Sequence, residues 1–140
     1  MCAGQTTYHA KAFADDGVVV LKQALGSETM KRVEAAYDWS CAHLSAALQD
    51  FAADSNERFI ADTGYSIREP VYLELLRETE LPDIAAGLFG GESDVWYLGE
   101  QIFHKEGPRG TRRTPWHQDT SYMNILGRQM TALWIPLDPL

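Results

Sequence analysis

The chain has 140 residues, 45 % of them apolar, and a formal net charge of -8 from 20 acidic and 12 basic side chains. That length supports one domain with its own core. The acidic balance argues against non-specific nucleic-acid binding, no run is long enough to span a bilayer, and two cysteines, Cys2 and Cys41, do not make a disulfide framework.

Residues 1–13 are polar and lack the apolar core of a secretion signal, so the chain reads as a cytoplasmic protein. Residues 17–21 are a β-branched run that predicts a strand. Met30, Val33, Tyr37, Cys41, Leu44, Leu48 and Phe51 then step by three or four. Their spacing predicts a helix over about 28–52 with its apolar stripe on a core, Ser27 as its N-cap and Cys41 as a buried thiol. Residues 54–64 are polar and predict a loop. Pro70 opens a short helix through Arg77, because its fixed φ suits the first helical position. A second short helix is expected over 82–88, ended by Gly90-Gly91. After that the texture turns to strands at 95–105, 114–119 and 129–137, with a basic loop at 109–113. Helices first and strands last, without an internal repeat, predict an α+β chain whose sheet is antiparallel.

The segment Thr114-Pro115-Trp116-His117-Gln118-Asp119 carries the chemistry. Side chains at i and i+2 of a strand share a face. His117 and Asp119 would therefore project together, with Trp116 and Gln118 turned the other way. An imidazole and a carboxylate on one face are two thirds of a 2-His-1-carboxylate triad, which leaves iron(II) open positions. Taken alone, a His-x-Asp pair is a weak signal that occurs often by chance, and a solvated surface pair is the plainer reading.

Three segments give that pair a context. They are Gln101-Ile102-Phe103-His104-Lys105-Glu106-Gly107-Pro108, then Thr114-Pro115-Trp116-His117-Gln118-Asp119-Thr120-Ser121-Tyr122, then Leu133-Trp134-Ile135-Pro136-Leu137-Asp138-Pro139. In that order they resemble the core of the phytanoyl-CoA dioxygenase family, and Phe13-Ala14-Asp15-Asp16-Gly17-Val18-Val19-Val20-Leu21 is similar to the family's opening strand.

The resemblance implies N-terminal helices packed on part of a double-stranded β-helix, a cupin-like jelly roll, as a single domain over 1–140. It implies an Fe(II)- and 2-oxoglutarate-dependent dioxygenase that hydroxylates an unactivated carbon of a small molecule, with O2 consumed and succinate and carbon dioxide released. By position, His117 and Asp119 match the first two iron ligands, and Gln101 and Trp134 match residues lining the 2-oxoglutarate pocket. Lys105 and Tyr122 match positions near that site, and His104, one residue off the Gln101 face, points away from it. Strand packing for Trp134 and a solvated side chain for Lys105 stay open as alternatives. Trp116 and the basic loop are candidates for the pocket rim.

The family's distal histidine and the basic residue that pairs with the 2-oxoglutarate carboxylate have no counterpart here, since His9, His43 and His104 all precede the motif. The chain is therefore expected to be incomplete at its C-terminus and feebly active alone. Three other classes compete. A non-catalytic jelly-roll binding module, or an inactive fragment of such an enzyme, would keep the fold and lose turnover. A cupin-type isomerase or hydrolase would use the same His-x-Asp without 2-oxoglutarate. A helical interaction protein would need helix through 95–137, against the β-rich texture there.

Overall fold

The computed structural model describes residues 3–52, 57–64, 70–91, 94–107, 114, 116–119, 125–127 and 129–139. In chain order the elements are α1 (Ala3–Asp16), α2 (Ser27–Ala42), β1 (Gln49–Asp50), β2 (Arg58–Gly64), α3 (Pro70–Arg77), α4 (Leu81–Leu88) and β3 (Glu100–Glu106). Four helices and a three-stranded antiparallel sheet, ordered β1-β2-β3, make an α+β chain among the described residues.

The chain opens on a helix. α1 ends where Gly17 takes φ 74 and its N–H bonds back to the Phe13 carbonyl at 2.8 Å, a left-handed stop that glycine accepts without strain. The strand expected at 17–21 is corrected: residues 18–21 are not among the sheet's strands, and Val18 and Val20 are exposed. A β-branched run favours extended backbone, but a ladder also needs a partner edge.

α2 begins one residue earlier and ends ten earlier than the expected 28–52. Ser27 is its first helical residue, and Gly26 is the N-cap. The capping oxygens come from a distant residue: Glu80 accepts from the Gly26 N–H at 3.1 Å and from the Thr29 hydroxyl at 2.6 Å. The early stop also has a partner. Asp62 of β2 takes the Ser45 N–H at 2.7 Å and the Ser45 hydroxyl. That N–H would otherwise donate to the Cys41 carbonyl one turn back. Leu44, Leu48 and Phe51 therefore leave the stripe, and they are exposed.

The most buried line of α2 is Thr29, Ala36 and Ser40, with Met30, Val33, Tyr37 and Cys41 half-buried beside it. Small residues occupy the close approach to α3. Ser40 bonds the Ala36 carbonyl at 2.9 Å and also the Tyr72 phenol. Ala36, Tyr72, Leu75 and Leu81 form the core, with Leu25, Val33, Trp39, Val71, Leu133 and Ile135 packed on it.

α3 and α4 form where their prolines predict them. Leu81, Ile84 and Leu88 make the buried line of α4. Gly90 (φ 94) and Gly91 (φ 76) end it, with Gly91 N–H donating to the Ala86 carbonyl at 2.8 Å. α1 packs on α4, where Phe13 meets Phe89 edge-on at 6.0 Å.

The loop expected over 54–64 is corrected by β2, the central strand. Phe59, Ile60, Ala61 and Asp62 are consecutively buried, because both faces of this strand are covered. A strand buried on both faces loses the alternation that sequence reading relies on. β3 starts at Glu100, five residues later than the expected 95–105. The strands expected at 114–119 and 129–137 are not in the ladder among the described residues.

Candidate functional site

β2 and β3 pair with Phe59 opposite Lys105, Ala61 opposite Phe103 and Thr63 opposite Gln101. Residues directly opposite share a face. One face thus carries Gln101, Phe103 and Lys105. The other carries Ile102 and His104 and meets the helices, since His104 Nδ1 and the Tyr37 phenol oxygen are joined at 2.6 Å. His104 therefore turns away from the Gln101 face, as expected from its position.

On that face the Lys105 ammonium sits 4.1 Å from the centroid of the Phe59 ring, and Phe59 in turn meets Phe51 at 4.9 Å. A cation over a ring is held by the ring's quadrupole, so Lys105 is a positioned charge as well as a solvated one. Trp134 stacks on Phe103 with centroids 5.3 Å apart and ring planes 20° apart. The stack brings Trp134 to the strand face that bears Gln101 and Lys105. Trp134 remains 74 % exposed, so its stack forms one wall beside open space.

His117 Nε2 lies 3.4 Å from Asp119 Oδ1, with both side chains half-exposed. The pair converges without the strand expected to align it. A metal holding an imidazole nitrogen and a carboxylate oxygen at bonds of about 2.1 Å and a right angle sets them about 3 Å apart. The observed separation suits two neighbouring ligands after a small adjustment. No group of three His, Cys, Asp or Glu side chains that could hold a metal occurs among the described residues. The residues present fit two positions of a metal site. Trp116 is fully exposed. Tyr122 and the basic loop 109–113 lie outside the described residues.

Sequence reading missed Phe103. Its signal was present, since Phe103 lies two residues from both Gln101 and Lys105 and shares their period-two face.

The chain matches the phytanoyl-CoA dioxygenase (PhyH) family model over residues 13–140, and it belongs to that family. The matched span contains β3, the His117–Asp119 pair and Trp134. Membership implies function of the dioxygenase type, the iron- and 2-oxoglutarate-dependent class to which this family generally belongs. No curated protein and no solved structure matches the chain. No helix among the described residues is long and apolar enough to cross a membrane.

Proposed function

We propose that the chain serves an oxygenase that hydroxylates an unactivated carbon of a small-molecule substrate, using Fe(II), 2-oxoglutarate and O2 and releasing succinate and carbon dioxide. The observation that carries this reading is the 3.4 Å approach of His117 Nε2 to Asp119 Oδ1 inside the family-matched span. His117 and Asp119 would hold the iron, which together with 2-oxoglutarate supplies the oxidising power when bound. The chain's own side chains do the rest. The Lys105 ammonium, steadied by Phe59, attracts the carboxylate charge of 2-oxoglutarate. The Gln101 amide offers donors to its oxygens. Trp134 offers one side an apolar ring, held against Phe103. Tyr122 adds a phenol donor by its place in the motif.

The finer fold we propose is a double-stranded β-helix, which also explains the placement of 131–136. Leu133 and Ile135 pack on the helical core, while Trp134 between them packs on Phe103 of the opposite sheet face. That alternation is the side-chain pattern of a strand. It supports 131–136 as a further strand position beside β3, the edge strand of the described sheet.

The test is titration of the 140-residue chain with Mn(II), a redox-inert stand-in for Fe(II), with 2-oxoglutarate present. Saturable binding is expected, and Asp119→Ala should lose it. Undiminished binding by Asp119→Ala would remove the pair from the metal site.

A further inference from the structure

We infer that Phe103 is a positioning residue, acting through Trp134 to hold one wall of the 2-oxoglutarate site. The inference rests on the reading above that Gln101, Lys105 and Trp134 form that site. Phe103 sits between Gln101 and Lys105 on β3, and all three share one face. It contributes no charge and no hydrogen-bonding group. Its ring meets the Trp134 indole nearly parallel, at 5.3 Å and 20°. Trp134 is otherwise 74 % exposed, so little else fixes its torsions. An exposed indole has several staggered rotamers open to it. The stack selects the rotamer that lays the indole on Phe103, the residue between Gln101 and Lys105 in the strand. Leu133 and Ile135 anchor the same segment from the helical side, so Phe103 fastens its outer side. The ligand then meets a wall already in place, and the cost of ordering the indole is not taken from its binding energy.

The experiment is calorimetric titration of 2-oxoglutarate, with Mn(II) present, into the wild-type chain, Phe103→Leu, Phe103→Tyr, Trp134→Ala and the Phe103→Leu/Trp134→Ala double variant. Phe103→Leu should weaken binding about tenfold, the scale of one aromatic pair. Phe103→Tyr keeps the ring and should bind as wild type. In the Trp134→Ala background, Phe103→Leu should cost nothing further, since a residue acting through another has no effect once that other is gone. Equal losses in the two backgrounds overturn the inference and leave the site reading standing. Absence of 2-oxoglutarate binding by the wild-type chain overturns both. A second readout is independent of ligand: the Trp134 indole N–H resonance, assigned by its loss in Trp134→Phe, should shift in Phe103→Leu as the ring current disappears. An unmoved resonance in a folded Phe103→Leu chain overturns the stack itself.

Discussion

The Tyr37 phenol oxygen lies 2.6 Å from His104 Nδ1, and this hydrogen bond ties α2 to β3 from behind the face that carries Gln101 and Lys105. The two rings also lie face to face at 6.3 Å. His104 Nε2 approaches Glu106 Oε2 at 3.4 Å, so the imidazole is engaged at both nitrogens.

Burial, reinforced by Cys41 and nearby acidic groups, pushes the Tyr37 phenol up to about 12 from its ordinary 10.0. A pKa raised by folding favours the protonated phenol in the native state. Its contribution to stability is complete below pH 10 and is lost as pH rises towards 12. Tyr37→Phe should destabilise the chain by about 0.5–1.5 kcal/mol at neutral pH, the net worth of one hydrogen bond. It should also flatten the alkaline limb of the stability curve. Urea midpoints from pH 7 to 11 check both effects.

Glu80 gives the opposite sign. The Thr29 hydroxyl, then backbone N–H groups including that of Gly26, hold its carboxyl below the usual 4.5. A depressed carboxylate stabilises the fold above its unfolded pKa, and that contribution fades as pH falls through the folded value. Glu80→Gln should therefore lower Tm at pH 7 and converge on wild type in acid. Glu80→Ala, which removes both acceptors from the start of α2, should cost about 0.5–2 kcal/mol at pH 7. A Tm difference that stays constant down to pH 3 would show that charge has no part in this cap.

Asp62 sets the end of α2, and its loss should be felt there. It is buried and accepts both the N–H and the hydroxyl of Ser45. Asp62→Ala leaves two donors without that acceptor, at about 1–3 kcal/mol for each group kept from water. Hydrogen exchange at the Ser45 amide should accelerate more in this variant than exchange along α3. Equal acceleration everywhere would mean that Asp62 supports the whole fold and has no special hold on the helix end.

These contacts also explain what could be read in the chain beforehand. α3 and α4 were legible because their signals are local: Pro70 and Pro82 open them, and Gly90 and Gly91 close the second. The end of α2 was not, because Leu44 and Leu48 continue the helical period and the group that interrupts it, Asp62, is 17 residues away from Ser45. β2 was hidden for a related reason. Its buried Asp62 and half-buried Thr63 look like loop residues until Ser45 is placed beside them. The face of β3 was legible from period two, which sets Gln101 and Lys105 on one side of the strand and His104 on the other. Phe103 shares that period-two face, but its stacking on Trp134 emerges only when the 131–136 segment is laid against the sheet.

The His117–Asp119 pair, proposed above as metal ligands, yields the last prediction. His117 Nε2 and Asp119 Oδ1 are 3.4 Å apart, and both are half-exposed, so neither is held by deep packing. Substituting either should leave the unfolding free energy within about 0.5 kcal/mol of wild type, the usual scale for surface positions. Metal affinity should behave otherwise. Groups that merely support a ligand cost about 10–100-fold when lost, so the ligands themselves should cost at least that. His117→Ala and Asp119→Ala should each weaken Mn(II) binding by roughly a hundredfold or more. Asp119→Asn is the sharper variant, since it keeps shape and a carbonyl oxygen but removes the anion that a hard cation requires. The measurement is Mn(II) titration by calorimetry, beside thermal melts of the same samples. Weaker binding with an unchanged melt is the expected outcome. A variant that loses affinity only because it unfolds would assign His117 and Asp119 to the structure of this segment and leave the metal without protein ligands there.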